Sequence, residues 1–113
     1  MILLPYPAPP LWPNKRAHWA KKARETKKHR AWAHGAALAA KPSADGEPIP
    51  VRITLYPKPK GPAPDKDNVV ASAKAYLDGI AEAMGINDRA FASPIVRISG
   101  ERLSQMGIEI GKA

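Results

Sequence analysis

Proline delimits what this chain can fold into. Of its 13 prolines all but Pro94 gather in "PYPAPPLWP", at Pro42, in "PIP" and in "YPKPKGPAP". Proline lacks a backbone N–H and clashes with the preceding turn, so helix is confined to the stretches between these clusters. From about Lys15 to Ala40 the alanine and lysine content favours a helix, with Asn14 as its candidate cap, Gly35 a weak point and Pro42 a stop. From Val69 to Met84 the apolar positions Val69, Ala73, Leu77, Ile80 and Met84 fall within about 80° of one another at 100° per residue, which predicts a second helix with one buried face. Asp67 or Asn68 is its expected N-cap, and Gly85 its end. "VRITLY" alternates Val51, Ile53 and Leu55 with Arg52, Thr54 and Tyr56, the period of a strand with one buried face. "MILLPYP" reads as a further short strand, and "PIVRIS" and "MGIEIG" as two more, joined as a hairpin through "GERLSQ".

At 113 residues the chain is long enough for one domain, 1–113, with one modest core. No apolar run approaches the ~20 residues that cross a bilayer, and "MILLPYPAPP" lacks the basic flank of a signal peptide, so a cytoplasmic protein without a membrane partner is expected. With no cysteine and three scattered histidines, any metal has to be bound by oxygen.

Charge is unevenly placed. Residues 1–60 hold 12 Lys or Arg against 3 acidic residues, whereas residues 61–113 hold 6 against 7. Most of the excess lies in "KRAHWAKKARETKKHR", a density suited to phosphate backbones, where neutralising each phosphate releases counterions. The bland alternative is a solvated helix face. Trp19 and Trp32, interleaved with the run, are expected mainly as core, with base stacking the functional alternative.

Against this background "PAPDKDNVVASAKAYLDG" sets Asp65 and Asp67 two residues apart, where a loop carrying Lys58 and Lys60 meets the second helix. One of them serves as a cap; capping does not account for both. On the helical wheel Asp67, Lys74 and Asp78 share one side, and Lys74 with Asp78 has the spacing of an i,i+4 ion pair worth ~0.3 kcal/mol. A turn, "GINDRAF", then supplies Asp88. Carboxylates that converge repel one another unless a divalent ion lies between them. Magnesium suits such a place, because it takes oxygen ligands, keeps several waters and binds substrate phosphates.

The order "LPYPAPP…PNKRAHW…PDKDN…K…LDGIAEAMGINDRAF" resembles the RusA-type Holliday junction resolvases, small Mg²⁺-dependent endonucleases of phages and prophages. The likeness runs to about Phe91. Asp65, Asp67 and Asn68 match the family's Asp-x-Asp-Asn motif, Lys74 and Asp78 its lysine and aspartate four residues apart, and Asp88 the second acid of its late pair. The resemblance implies metal binding by Asp65, Asp67 and Asp88, catalysis by Lys74, and Mg²⁺ as cofactor, with Mn²⁺ able to substitute. Asn68, Asp78 and Asn87 then support the site. It also implies an α+β fold with a small mixed sheet and two main helices, assembled as a homodimer. Two positions depart from the pattern: Asn87 replaces the first acid of the late pair, and about three additional residues separate Asn68 from Lys74.

The expected function is thus a metal-dependent endonuclease on branched DNA such as four-way junctions. Asn14, Lys15, Arg16, Lys21, Lys22, Lys27, Lys28, Lys58 and Lys60 hold its phosphates. The alternative is a non-catalytic basic module that binds DNA or RNA.

Overall fold

A computed structural model describes residues 1–13, 16–44 and 46–111. The chain forms β1 (Ile2–Pro5), α1 (Trp19–Ala40), β2 (Val51–Tyr56), α2 (Lys66–Ser72), α3 (Lys74–Met84), β3 (Ile95–Ile98) and β4 (Gln105–Ile110), with short 3₁₀ turns at Pro9–Leu11 and Asp88–Ala90. The result is an α+β domain with a mixed four-stranded sheet, in the order β1-β4-β2-β3.

The sheet is held by β2 at its centre. β4 pairs antiparallel with both β2 and β1, in the rows Ile2–Ile108–Ile53 and Leu4–Met106–Leu55. These rows carry the inward face, extended by Val96 and Ile98 from β3. The expected hairpin of the last two strands does not form: β3 pairs parallel with β2, on the side opposite β4. A parallel pair needs a crossover connection, and α2 with α3 supplies it. Thr54, expected on a solvent face, is also buried, as befits a central strand.

Both helix expectations need correction at a boundary. The first helix begins at Trp19, not near Lys15. His18 caps it, Nδ1 accepting from the Ala20 N–H at 3.2 Å. The expected cap Asn14, with Lys15, lies outside the described residues. Gly35 leaves the helix unbroken, and it ends at Lys41, which adopts φ 52° immediately before Pro42. The second helix is two helices. Ala73 (φ −88°, ψ −4°) separates α2 from α3, so three helices stand where two were expected. The Ser72 hydroxyl donates to the Val69 carbonyl at 2.8 Å, and the Ala73 N–H is shared between the Val69 and Val70 carbonyls at 3.1 Å each. Local bonds of this kind compete with a regular i,i+4 ladder. Asp65, rather than Asp67 or Asn68, occupies the N-cap position of α2, and its side chain makes no capping bond.

α1 packs along α3 more extensively than any other two elements pack. On α1 the buried stripe is narrow: His29, Ala33 and Ala37, four residues apart. On α3 the partner is Gly79, where an added Cβ would strike the Arg30 carbonyl oxygen and come within 3.1 Å of the His34 nitrogen. Tyr76, fully buried, donates from its hydroxyl to the Pro5 carbonyl at 2.7 Å and so ties α3 to the end of β1.

His29 fastens the loop after β1 to α1. Its Nδ1 lies 2.7 Å from the Glu25 carbonyl, and its Nε2 accepts from the Ala8 N–H at 3.1 Å. This pair of bonds requires the neutral ring with its proton on Nδ1, which donates to Glu25. Burial holds the pKa of His29 below the ordinary histidine value, outweighing the raising effects of the Glu25 carbonyl and carboxylate. The unfolded chain therefore takes up a proton at a higher pH than the folded one, and stability falls as the pH drops below ~6.5. Urea unfolding at pH 7.5 and pH 5.5 should show the wild-type chain less stable at the lower pH. His29→Gln should be destabilised by ~1–3 kcal/mol at pH 7.5 and should lose most of that pH dependence.

Candidate functional site

The N-terminal end of α3 carries Lys74, and one turn later Asp78. The Lys74 ammonium donates to Asp78 Oδ1 at 2.8 Å and to Asp88 Oδ2 at 2.6 Å, the second bond spanning 14 residues. Asp88 reaches this point because Gly85, at φ 71°, ends α3 and turns the chain back. Asn87 then caps the following 3₁₀ turn, its Oδ1 accepting from the Arg89 N–H at 2.9 Å. The three charged groups line one open cleft with Arg30, Glu82, Ile86 and Asn87. Arg30 of α1 pairs with Glu82 of α3 at 2.8 Å along its edge.

The electrostatics fix the charge states. The hydrogen bonds it donates to Asp78 first, then to Asp88, raise the Lys74 pKa, so the ammonium is fully charged at neutral pH. The hydrogen bond that Asp88 accepts from Lys74 lowers the Asp88 pKa, so this carboxylate is ionised and acts only as an acceptor. Two carboxylate oxygens thus face one cation, and the cation is a lysine.

The remaining sequence candidates are divided between other surfaces. Asp65 and Asn68 line a separate cavity with Tyr6, Trp12 and Lys58. Asp67 is exposed in the first turn of α2 and forms no ion pair among the described residues. The wheel that placed Asp67 beside Lys74 and Asp78 assumed one unbroken helix, and the break at Ala73 removes that phase relation. Among the described residues no three His, Cys, Asp or Glu side chains are grouped to hold a metal ion, so Asp65, Asp67 and Asp88 are not gathered at one point. In the cleft Lys74 neutralises both Asp78 and Asp88, and no third metal-ligating side chain among the described residues is grouped with them.

The basic surface is α1. Lys21, Lys22, Lys27 and Lys28 are all exposed, and Arg16 lies exposed just before the helix. Lys22 stands seven residues before His29, hence nearly on the buried stripe, yet it faces solvent. The first turns of α1 therefore overhang the body. The tryptophans expected in the core lie outside it: Trp19 is 77% exposed and Trp32 40% exposed, with the Lys28 ammonium 5.2 Å from the Trp32 ring centroid. Lys60 is exposed in the loop after β2, and the Lys58 ammonium lies 5.3 Å from the Tyr6 ring centroid.

Three contributors escaped sequence reasoning. The Arg30–Glu82 pair joins residues 52 apart, and only the α1–α3 packing brings them together. Arg102 donates to the carbonyls of Lys58 and Gly61 at 2.8 and 2.9 Å, pinning the loop that carries Lys58. Tyr6 and Trp12 stack with ring centroids 5.2 Å apart; their spacing of six residues across Pro7, Pro9 and Pro10 was the one visible signal.

If α1 holds phosphates, replacing Lys21, Lys22, Lys27 and Lys28 by alanine should weaken binding to all DNA shapes. Each lost contact should flatten the plot of log K against log salt by ~0.9 on duplex, and the total should be less than four contacts' worth because Lys27 and Lys28 point to different sides. Affinity across a salt series, with circular dichroism to confirm the helix, measures this; an unchanged slope in a folded variant would make α1 a solvated face.

No family model matches the chain, and no solved structure does. It is 38% identical, over an aligned span of 116 residues, to an uncharacterized protein of Xylella fastidiosa (strain Temecula1), an alignment that covers 96% of this chain and 74% of the other. The chain belongs to the same family as that Xylella protein.

Proposed function

We propose that this chain is a divalent-metal-dependent DNA endonuclease selective for branched DNA, of the RusA type that its motifs resemble. The observation that carries the reading is the convergence of Lys74, Asp78 and Asp88 on one exposed point. These are the lysine and two of the acids that the resemblance singles out, and 14 residues of chain are folded back to join them. A further support is the break at Ala73. It falls between Asn68 and Lys74, the interval in which this chain carries its additional residues, and gives α3 a direction independent of the Asp65–Asn68 segment.

In this reading the basic overhang of α1 and the Lys58–Lys60 loop position the phosphate backbone without reading bases. The resemblance assigns the metal to Asp65, Asp67 and Asp88, of which Asp88 alone stands beside Lys74 and Asp78. Mg²⁺, or Mn²⁺ in its place, supplies when bound a Lewis acid for the scissile phosphate. Lys74, fully protonated and 65% exposed at its side chain, can leave one carboxylate for a phosphate oxygen, where a fixed positive charge stabilises the charge that develops during cleavage. Asp78 holds the lysine on the face it needs. A homodimer gives the two related cuts that resolution of a four-way junction requires, since a two-fold axis supplies two related sites. Such an enzyme works in the cytoplasm, where the DNA is; no helix among the described residues is long and apolar enough to cross a membrane.

A second reading has one observation in its favour. Lys74 neutralises both carboxylates, which is also what a surface ion pair does, and a non-catalytic basic module for DNA or RNA needs nothing more. Magnesium separates the two. Labelled four-way junction and linear duplex, incubated with protein with and without Mg²⁺, should show cutting of the junction alone and only with metal. Asp67→Asn and Asp88→Asn should each abolish the cutting while leaving gel-shift affinity in EDTA unchanged or tighter. Junction that is bound but never cut by the wild-type protein would establish the binding module; near-normal cutting by either variant would remove that residue from the metal set.

A further inference from the structure

The cleft that holds Lys74 contains a second cation, and it comes from the other helix. On α3, Lys74, Asp78 and Glu82 follow one another at intervals of four and form one row, with Glu82 two turns, or ~12 Å, beyond Lys74. On α1, Lys27, Arg30 and His34 fall within about 60° of one another at 100° per residue and form a second row. The rows meet where Arg30 pairs with Glu82. Packing fixes this place: the Arg30 carbonyl is the group for which Gly79 leaves room, so the side chain leaves α1 at a backbone contact between the two helices. The pairing itself uses little of the guanidinium. Its Nε donates to Glu82 Oε2 at 3.0 Å and its Nη2 lies 2.8 Å from the same oxygen, so the fork does not engage both oxygens of the carboxylate. Two-oxygen engagement is the strong form of such a pair. The remaining donors of Arg30 have no partner among the described residues, and both side chains are 52% exposed.

We propose that Arg30 is a phosphate-holding residue of this cleft, which leaves Glu82 for a phosphate of the DNA strand that passes Lys74. A guanidinium binds a phosphate through two parallel N–H···O bonds, which the shared Oε2 of Glu82 does not offer it. The exchange is easily made, because an exposed ion pair contributes little to stability. Glu82 is not left alone by it, since His34 Nε2 lies 4.0 Å from its other oxygen. The acids of the cleft, Asp78, Glu82 and Asp88, outnumber its two cations, so a strand that crosses it is attracted only where a cation stands nearest. Lys74 is one such point and Arg30 the other. Lys27, exposed and three residues earlier on the same row, continues the track, so one strand can follow cations from the basic overhang of α1 to the place of cutting. Arg30 in this role rests on the endonuclease reading and leaves Asp65, Asp67 and Asp88 as the motif assigns them.

Opposite responses from the two partners are the test. Fluorescence anisotropy of a labelled four-way junction in EDTA reads binding apart from cutting, with circular dichroism to confirm that each variant is folded. Arg30→Gln should weaken binding about tenfold, the loss of one charge-assisted contact, and should lower the slope of log K against log salt by ~0.9. Glu82→Gln removes the charge that Arg30 has to leave and that repels the strand, so it should tighten binding about threefold. Arg52 and Glu109, 3.8 Å apart on the sheet face turned away from the helices, provide the control for net charge: Arg52→Gln and Glu109→Gln should each shift affinity less than about twofold. Equal affinity of Arg30→Gln and the wild-type protein would overturn the proposal. So would a loss of affinity in Glu82→Gln that matches the loss in Arg30→Gln, which marks the pair as a strut between α1 and α3. Effects at Arg52 and Glu109 as large as those at Arg30 and Glu82 would overturn it too, as a response to net charge alone. None of these results touches Mg²⁺-dependent cutting by the wild-type protein, whose absence is what would end the endonuclease reading.

Discussion

The absence of a side chain at Gly79 governs the rest of the molecule. It lets α3 approach α1 until backbone meets backbone at the Arg30 carbonyl, with Ala33 and Ala37 keeping the seam narrow. An alanine at this place would force one helix to move, and interiors tolerate such overpacking poorly. From this contact the remaining positions follow. Arg30 meets Glu82; His29 meets Tyr76 with ring centroids 5.2 Å apart and reaches the loop after β1; and the N-terminal end of α3 presents Lys74 and Asp78 to the turn that brings Asp88. The cleft around Lys74 and the loop after β1 are thus set by one helix pair.

The same arrangement separates charge. The overhanging start of α1 collects cations, whereas the acids gather around α2, α3 and the following turn. A protein that only needed to bind nucleic acid would gain nothing from carboxylates near phosphates, which repel them. Carboxylates tied to a lysine are a different matter: they hold a protonated group at a defined point on the surface, ready for exchange with another anion. The endonuclease reading makes use of that exchange, and the binding reading leaves it as a surface bridge worth less than ~1 kcal/mol.

Much of this was legible along the chain, and what was not shares a cause. β2 followed from the alternation of Val51, Ile53 and Leu55, and the end of α3 from Gly85, because each is a local rule. The i,i+4 pair of Lys74 and Asp78 was equally local. The break at Ala73 was hidden: alanine is the best helix former, the apolar wheel from Val69 to Met84 runs through it, and the competing bond belongs to the Ser72 hydroxyl. The partner of β3 was hidden too, because a short strand with one buried residue pairs according to the crossover before it, not according to its own sequence. Trp19 and Trp32 were misplaced for a related reason. A helix stripe of Ala33 and Ala37 leaves no room for large side chains, so the tryptophans lie outside it. Asp88 was foreseen to converge with the other acids; it meets Asp78 through Lys74, and not Asp65 or Asp67 within any grouped set.

The account turns on Lys74 acting in bond breakage rather than as half of a surface bridge. The most direct measurement is the single-turnover rate of junction cleavage by Lys74→Ala, at saturating protein and with Mg²⁺, beside its junction affinity in EDTA. A charge that stabilises the transition state should cost ~100-fold or more in rate when removed, with little change in affinity. A wild-type rate in a folded Lys74→Ala protein would contradict the account and leave the contacts to Asp78 and Asp88 as surface ion pairs.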